Sequence, residues 1–290
     1  MTNEDVYVSV IVPAYNEAAA IESDLQAIIA AMDSSRYTYE VIVVDDGSTD
    51  GTGDLAEAMG VTVLRHTENK GVGVARTNGV RAASGEIIVM TDADNTYPNE
   101  DIPRLLELMN RYDMVIGART REAGTVPWLR KPVKEIIRRL AEYITSEHIE
   151  DLNSGFRAMR KDIVTRYLNI TPEGHSWVGT MTLAFLSEKR DVAFIPIDYW
   201  PRTGRSTFHP IADTYGYLMF IMKTIMYFKP LKVFVPLSGL FLTLGVIKGL
   251  YDSFILHDFK ESEIVILLTG VIIGVLGLLA DLVVKLHKSP

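Results

Sequence analysis

Cysteine is absent from this 290-residue chain. Its absence excludes disulfide bonds, zinc-thiolate sites, iron-sulfur clusters and a cysteine nucleophile. Histidine is scarce as well, and none of the six histidines pairs with another at a metal-ligand spacing. A metal site in this chain would therefore have to use oxygen ligands, chiefly carboxylates.

Basic residues are fewer than acidic ones, and the formal net charge is -8. Proteins that bind nucleic acid need a basic surface to neutralise phosphates, so this class is not expected. The N terminus lacks the pattern of a secretory signal, because it is acidic and its first apolar run is short and followed by Pro13. We expect the N-terminal part to stay in the cytoplasm.

The C-terminal part contains two long apolar runs, Val233–Leu250 and Ile264–Ala280. Each is close to the ~20 residues that span a bilayer. Both runs are apolar on all sides and rich in glycine, which favours two transmembrane helices over a buried pair in a soluble core. The mixed aromatic, methionine and lysine segment before them is typical of an interfacial helix. The predicted organisation is a soluble domain at 1–210, an amphipathic segment at 211–231 and a transmembrane hairpin at 232–290.

Charge around the hairpin predicts its orientation. The outer flanks of the hairpin are rich in lysine, whereas the connecting segment carries four acidic residues against Lys260. The flanking lysines are Lys223, Lys229, Lys232, Lys285 and Lys288. Because cationic flanks stay in the cytoplasm, both ends of the hairpin and the N-terminal domain are expected on the cytoplasmic face of the cell membrane. A basic run at 119–139 is either a solvated helix face or a contact with anionic lipid phosphates, and the sequence leaves both open.

The soluble part alternates short β-rich runs with helical patterns. Strands are predicted at 6–12, 40–44, 61–64 and 86–90, and helices at 17–32, 54–59 and 74–83. Such alternation indicates an α/β protein with a parallel sheet that is covered on both faces. Ligands bind such sheets beyond the carboxyl ends of the strands.

Polar loops follow each of the predicted strands, at Pro13–Glu17, Asp45–Thr52, Asn69–Gly73 and Asp92–Asp94. These loops are expected to meet at one edge of the sheet. Asp92 and Asp94 are two residues apart, so in an extended chain they point to the same side and repel each other. Either a divalent metal or solvent must separate them, and this fragment alone does not decide which.

The same loops, in order, resemble those of the family 2 glycosyltransferases with the GT-A fold. The residues that carry this resemblance are Pro13-Ala-Tyr-Asn-Glu17, Val44-Asp-Asp-Gly-Ser-Thr-Asp50, Asn69-Lys-Gly71, Asp92-Ala-Asp94 and Gly117-Ala-Arg119. Within that family the chain looks like dolichyl-phosphate mannose synthases and other polyprenyl-phosphate glycosyltransferases. Asp151-Leu-Asn-Ser-Gly-Phe-Arg157, Arg202-Thr-Gly-Arg-Ser206 and the two C-terminal spans support this resemblance.

The resemblance implies a Rossmann-like, mostly parallel sheet and assigns roles to particular residues. Asp94 would ligate Mg²⁺ or Mn²⁺, Asp92 would bind the metal or the nucleotide, and Arg119 and Arg202 would serve the phosphates. Further residues are implied to bind the nucleotide sugar: Pro13, Tyr15, Glu17, Val44, Asp46, Lys70 and Ala93. The implied contacts for the acceptor phosphate or its loop are Ser154, Arg157, His175, Arg205 and Ser206.

The chain departs from the family pattern at three places. Members that glycosylate hydroxyl groups place an acidic base before the acceptor helix, but residues 174–181 contain no Asp or Glu. A phosphate acceptor is already ionised at neutral pH and needs no such base. Thr96 and Thr207 stand where the synthases have a glutamine and a lysine, and Arg205 is a candidate replacement for that lysine. These changes leave the sugar donor undetermined.

The expected function is inverting transfer of a sugar from a UDP- or GDP-sugar to a polyprenyl phosphate at the cytoplasmic face of the membrane. Two alternatives remain at this point. One is an enzyme that extends a sugar already attached to a lipid. The other is a membrane scaffold that binds a nucleotide sugar without turnover.

Overall fold

The computed structural model describes residues 6–120, 135, 138–143, 145–174, 176–202, 222, 226–227, 229–256 and 261–288. The chain divides into two compact units, Met1–Phe220 and Ile221–Pro290. Several predictions fall outside the described residues: the basic segment at 121–134, most of the amphipathic segment at 211–231, His175, Arg205 and Ser206.

The first unit is built on a seven-stranded sheet. Its strands are β1 (Val8–Ala14), β2 (Tyr39–Asp45), β3 (Thr62–Arg65), β4 (Ile87–Met90), β5 (Met114–Arg119), β6 (Arg157–Arg160) and β7 (Val192–Ile197). The strand order is β3-β2-β1-β4-β6-β5-β7. Only β6 among these strands runs antiparallel to its neighbours. The predicted mostly parallel α/β sheet is confirmed, and the four predicted strands each lie within two residues of an observed one.

Helices and short 3₁₀ turns connect these strands. The helices are α1 (Ile21–Asp33), α2 (Thr52–Ala58), α3 (Val72–Ala82), α4 (Ile102–Leu108), α5 (Lys161–Val164) and α6 (Trp177–Ser187), and the turns are Asn99–Asp101 and Thr165–Ile170. Helix α1 buries Ile21, Leu25 and Ile28 in the core, as its apolar spacing predicts. It begins at Ile21 rather than at Glu17, because Asn16 has a left-handed backbone with φ 55° and residues 18–20 form a turn before the helix.

The sheet order creates a switch point between β1 and β4. From β1 the chain adds β2 and then β3 on one side, and it returns to add β4 on the other side. The loops after β1 and β4 therefore diverge, which opens a crevice at their carboxyl ends. Strand β6 begins at this same edge, because Arg157 pairs with Met90, the last residue of β4. The segment that precedes β6 is thus brought beside the loop that follows β4.

The second unit is a hairpin of two long apolar helices, α7 (Leu231–Tyr251) and α8 (Glu261–Lys288), with a π-helical turn at Asp252–Leu256. Both helices are long and apolar enough to cross a membrane, over Leu231–Ile255 and Glu261–Leu286. The predicted hairpin is confirmed. At the connecting end, the Lys248 ammonium lies 2.7 Å from an Asp252 carboxylate oxygen and also contacts Glu263 of the second helix.

Glycines allow close packing between α7 and α8. A Cβ atom added at Gly277 would lie 2.4 Å from the Cβ of Phe234, and one added at Gly270 would lie 2.8 Å from Leu242. Ser238 also donates a hydrogen bond of 2.7 Å to the Gly270 carbonyl. Small residues at such contacts let helix backbones approach each other in a membrane. Gly239 differs, because an added Cβ there would meet nothing within 4 Å.

The contrast between these glycines provides a stability test for the hairpin. Gly277→Leu is expected to lower the free energy of unfolding in detergent by about 1–3 kcal/mol, because overpacking forces the two helices apart. Gly239→Leu is the matched control and should leave stability nearly unchanged. Unfolding by sodium dodecyl sulfate, followed by circular dichroism, measures the difference. Equal effects of the two substitutions would contradict the observed packing.

Candidate active site

Two carboxylate-bearing loops face each other across the crevice at the switch point. Glu17 follows β1, and Asp94 follows β4. Both contact the guanidinium of Arg202, whose Nη2 donates to Glu17 Oε1 and whose Nε lies 3.4 Å from Asp94 Oδ2. The segment that carries Arg202 is held to the Asp94 loop by a 3.0 Å hydrogen bond from the Trp200 N–H to the Thr96 carbonyl. Arg202, expected to serve phosphates, thus lies between the two loops.

Asp92 is held by a residue that the sequence did not single out for the site. Arg76 Nη2 donates to Asp92 Oδ1 at 2.8 Å, and the Arg76 side chain is nearly buried. The signal in the sequence was a cation on the inner face of α3, in line with Gly73 and Val80. Gly155 completes the environment, since an added Cβ there would lie 3.0 Å from Asp92 Oδ2.

Asp94 is almost fully buried. The Thr96 hydroxyl donates to Asp94 Oδ1 at 2.6 Å, so Thr96 orients the carboxylate. Burial and the charge of Asp92 raise the pKa of Asp94, while Thr96 and Arg202 act in the opposite direction. An ionised Asp94 is therefore under-compensated by the protein itself.

Two more carboxylates in this region have raised pKa values. Burial raises the pKa of Glu17 to about 7, against the influence of Arg202 and with a further contribution from Asp94. Burial likewise raises the pKa of Asp24 to about 7. Asp24 was not predicted, although its position among the apolar residues of α1 marked it as a buried acid.

These charges fit a divalent cation. Four carboxylates, those of Glu17, Asp24, Asp92 and Asp94, interact with one another, and the guanidinium groups of Arg76 and Arg202 pair with three of them. The cluster therefore has an excess of two negative charges when all of its carboxylates are ionised. No group of three or more acidic or histidine side chains forms a metal cage within the described residues. Mg²⁺ commonly takes only one or two carboxylates and completes its shell with phosphates and water.

Asp46 organises the loop after β3. Its Oδ1 accepts the Lys70 N–H at 2.9 Å and lies 2.6 Å from His66 Nδ1, while its Oδ2 accepts the Gly71 N–H at 2.9 Å. His66 Nε2 lies 2.9 Å from the Asn78 side-chain nitrogen, so His66 bridges Asp46 and Asn78. Asp46 thus shapes a loop at the site, and its expected contact with a nucleotide remains a prediction.

The other residues expected to bind the nucleotide sugar lie around the same edge. Tyr15 and Lys70 have exposed side chains, whereas Pro13, Val44 and Ala93 are buried. The loops after β1 and β2 are joined, because the Thr49 N–H donates to the Asn16 side chain at 2.9 Å. The predicted convergence of the loops at one edge is confirmed, and the ligand contacts of these residues stay predictions.

Arg119 is engaged by an acidic partner. Its Nε lies 2.7 Å from Asp151 Oδ2 and its Nη2 lies 2.9 Å from Asp151 Oδ1, and its guanidinium covers the ring of Tyr199 at 5.3 Å. Burial would raise the pKa of Asp151, but the hydrogen bond and charge of Arg119 outweigh it and lower that pKa. The expected phosphate contact of Arg119 would have to compete with this bidentate pair.

Arg157, implied to contact the acceptor phosphate or to belong to its loop, lies in the core. Its side chain has no exposed surface. The guanidinium donates to the Val178 carbonyl at 2.8 Å, to Thr182 Oγ1 at 3.0 Å and to the Ser154 carbonyl. Burial lowers the pKa of Arg157 to about 9. Ser154 is equally buried, so both residues fit a structural role in the loop, and the acceptor contacts implied for them stay predictions.

Comparison with known proteins agrees with this architecture. The family model described as "Glycosyl transferase family 2" matches residues 9–168, and the model described as "GtrB C-terminal hairpin" matches residues 229–286. The second match covers the helical hairpin formed by α7 and α8.

Two archaeal proteins are among the similar sequences. A dolichol-phosphate mannosyltransferase of Pyrococcus furiosus is 38% identical over 54% of this chain and 47% of its own length. A dolichyl-phosphate hexose transferase of Haloferax volcanii is 33% identical over 70% of this chain and 87% of its own length. The chain spans about half the length of several curated relatives that it matches, the Pyrococcus protein included.

A solved structure shares the fold. Glucosyl-3-phosphoglycerate synthase from Mycobacterium tuberculosis, crystallised with Mn²⁺ and uridine diphosphate, superposes with a TM-score of 0.58 at 21% identity. The match covers 77% of this chain and 80% of that protein. The GT-A fold expected from the loop motifs is thereby confirmed. Because the family match spans more than half of the chain and the sheet places its motifs at one edge, this protein belongs to glycosyl transferase family 2.

Proposed function

We propose that this protein transfers a sugar from a UDP- or GDP-sugar to a polyprenyl phosphate, such as dolichyl phosphate, with inversion at the anomeric carbon. The observation that carries the proposal is the pair of neighbouring carboxylates, Asp92 and Asp94, at the switch point of the sheet, where burial and the charge of Asp92 raise the pKa of Asp94. The names of the relatives support the acceptor, since two of them are dolichyl- or dolichol-phosphate transferases.

Asp92 and Asp94 would hold Mg²⁺ or Mn²⁺ together with the diphosphate of the donor. When bound, the cation supplies positive charge to the oxygens of the departing diphosphate. Thr96 holds the Asp94 carboxylate and Arg76 holds that of Asp92, so both are oriented before any ligand arrives. Arg202 adds a cation at the edge of the same cluster, where it would pair with the diphosphate.

The acceptor side of the site supports a phosphate rather than a hydroxyl group. The described residues among 174–181 include no carboxylate, and α6 is buried from Trp177 to Leu186. A polyprenyl phosphate is ionised at neutral pH, so one of its oxygens can attack the anomeric carbon without a base. The new bond from carbon to phosphate oxygen forms as the bond to the diphosphate breaks. In-line attack converts an α-linked donor into a β-linked product and releases the nucleoside diphosphate.

The hairpin would anchor the enzyme beside its lipid substrate. Two helices of sufficient length and hydropathy support membrane insertion. The excess of lysines outside the spans supports a cytoplasmic position for the first unit, where nucleotide sugars are available. Protein or cell-surface glycosylation would consume the lipid-linked sugar.

An extraction assay tests the proposal. Membranes that contain the protein are incubated with Mn²⁺ or Mg²⁺, dolichyl phosphate and a panel of radiolabelled UDP- and GDP-sugars. A labelled lipid that forms with one donor, and not in membranes without the protein, is the expected result. If no donor yields labelled lipid, the proposal is wrong. Transfer only to lipid-linked saccharides would instead favour an enzyme that extends an existing lipid-linked sugar.

Glu173 offers a separate test of the acceptor chemistry. It is the acidic residue next to the base-free segment, its side chain is exposed, and its carbonyl accepts the Gly73 N–H at 2.7 Å. Glu173→Gln is expected to change kcat by less than about threefold, because a general base worth about 10²–10⁴-fold is not needed for a phosphate acceptor. Glu150→Gln, at another exposed glutamate, is the matched control. A drop of two orders of magnitude in Glu173→Gln alone would favour a hydroxyl acceptor.

A further inference from the structure

Asp24 is a buried carboxylate whose partners are two amides. It lies on the inner face of α1 with 3% of its surface exposed. Its Oδ2 accepts the backbone N–H of Asn95 at 2.8 Å, and its Oδ1 accepts the side-chain amide of Asn99 at 2.7 Å. Both oxygens therefore act as acceptors, the arrangement that suits an ionised carboxylate.

These two hydrogen bonds connect Asp24 to both ends of the Asp92–Asp94 loop. Asn95 directly follows Asp94, so its N–H fixes the exit of the loop. Asn99 in turn accepts a 2.7 Å hydrogen bond from the hydroxyl of Thr91, the residue that directly precedes Asp92. The entrance of the loop is thus connected to Asp24 through one side chain.

The exit is held in an unusual backbone conformation. Asn95 has φ 60°, in the left-handed region that few non-glycine residues adopt. The hydroxyl of Ser23 approaches the Asn95 side chain at 2.9 Å, beside the bond from its backbone to Asp24. Neighbouring residues of α1 therefore bind both the backbone and the side chain of Asn95, and they stabilise the turn that directs Asp94 into the site.

Burial of Asp24 costs free energy that packing alone does not require. Burial, together with the charges of Asp94, Asp92 and Glu17, raises its pKa to about 7 despite the bond from Asn95. An apolar residue at this position of α1 would match the neighbours Ile21, Leu25 and Ile28 and avoid that cost. The carboxylate instead provides two hydrogen bonds to the loop, which an apolar side chain could not form.

We propose that Asp24 is a positioning residue that fastens both ends of the Asp92–Asp94 loop to α1 and so sets the geometry of the cation site. This inference rests on the proposed function in one respect, namely that Asp92 and Asp94 hold the cation. Outer residues that orient metal ligands typically change metal affinity by about 10–100-fold when they are replaced. The same range is expected here.

The test measures Mn²⁺ binding directly, without turnover. Electron paramagnetic resonance of free Mn²⁺ is recorded with the purified full-length protein and UDP, and in a second series with GDP. Asp24→Asn should weaken Mn²⁺ binding by about 10–100-fold, because its new amide would face the N–H of Asn95 or the NH₂ of Asn99. Glu22→Gln, at an exposed acid two residues away on α1, is the matched control and should bind Mn²⁺ normally.

A double substitution separates positioning from a general loss of folding. In Asp24→Asn/Asn99→Asp the amide and the carboxylate exchange places. Asn at 24 would then accept from the Asn95 N–H and donate to Asp at 99, which would still accept from the Thr91 hydroxyl. This exchange should restore Mn²⁺ binding to within about threefold of the parent protein, since all three hydrogen bonds can form. Binding that remains as weak as in Asp24→Asn would overturn the inference.

Asp94→Ala distinguishes an error in the proposed cation site from an error in the positioning role of Asp24. If Asp94→Ala binds Mn²⁺ as the parent does, the cation site itself is wrong and the inference fails with it. If Asp94→Ala loses binding but Asp24→Asn keeps the parent affinity, only the positioning role is wrong. Loss in both single variants, with recovery in the exchanged pair, is the expected result.

Discussion

Asp94→Ala is expected to lower kcat/KM by about 10²–10³-fold, the usual effect of losing one charge-stabilising contact in a transition state. Asp94 is buried, held by Thr96 and placed beside Asp92 at the crevice. Its carboxylate is the more buried of the two proposed metal ligands. Without it, the departing diphosphate would lose much of the positive charge that makes it a leaving group. Initial rates of labelled-lipid formation over a range of Mn²⁺ concentrations measure this loss.

The thermal stability of Asp94→Ala should not fall together with its activity. The pKa of Asp94 is higher in the folded protein than in the unfolded chain. At pH values above the pKa of the unfolded chain, the ionised Asp94 therefore destabilises the folded state. Removal of Asp94 should therefore leave the unfolding temperature unchanged or higher at pH 8 in the presence of EDTA. The increase in unfolding temperature on addition of Mn²⁺ and nucleoside diphosphate should disappear. Glu107→Ala, at an exposed acid of α4, is the control for both measurements.

Two results would contradict this account of Asp94. Full activity in Asp94→Ala would show that the carboxylate does not take part in the reaction. A lower unfolding temperature without metal would show that Asp94 supports the fold, and the loss of rate would then have a structural cause.

Arg157→Met is expected to lower the free energy of unfolding by about 2–4 kcal/mol, because it leaves buried carbonyl groups without their charged donor. The guanidinium donates to Val178, Thr182 and Ser154, and so connects β6 to α6 and to the segment before β6. Methionine fills much of the same volume but donates no hydrogen bond. Urea unfolding of the purified protein in detergent measures the change.

The position of Arg157 in the core also predicts what should not change. A residue that contacts the acceptor phosphate would raise the KM for dolichyl phosphate when replaced. Arg157→Met should instead keep that KM within about twofold when assayed well below its unfolding temperature. Arg104→Met, at an exposed arginine of α4, is the control for loss of a surface cation. An unchanged stability with a raised KM would return Arg157 to the acceptor site.

Features with a local signal could be predicted from the sequence. The Val/Ile runs of β1, β2 and β4 and the apolar spacing of α1 located these elements to within a few residues. Parallel strands present their carboxyl ends at one edge, so the convergence of Glu17, Asp46 and Asp92 followed from the parallel direction predicted for the strands. The two apolar runs were long enough to define the hairpin by length alone.

Pairings between distant residues could not be predicted in this way. Arg119 and Arg157 are both arginines in motif segments, yet one forms a bidentate pair with Asp151 and the other lies wholly in the core. Their sequence neighbourhoods do not reveal this difference. It depends on the antiparallel entry of β6, which turns Arg157 towards α6.

The sequence by itself determined the α/β alternation, the order of the polar loops, the carboxylate chemistry of the site and the apolar hairpin. Each of these is encoded by periodicity, residue type or run length over short stretches of chain. Only the tertiary structure decided that Arg76 pairs with Asp92 and that Arg202 contacts both Glu17 and Asp94. It also decided that Asp24 binds the Asp92–Asp94 loop through the Asn95 N–H. These contacts join residues far apart in the chain, and their partners are selected by burial, because buried charges and polar groups must be paired wherever the fold brings them together.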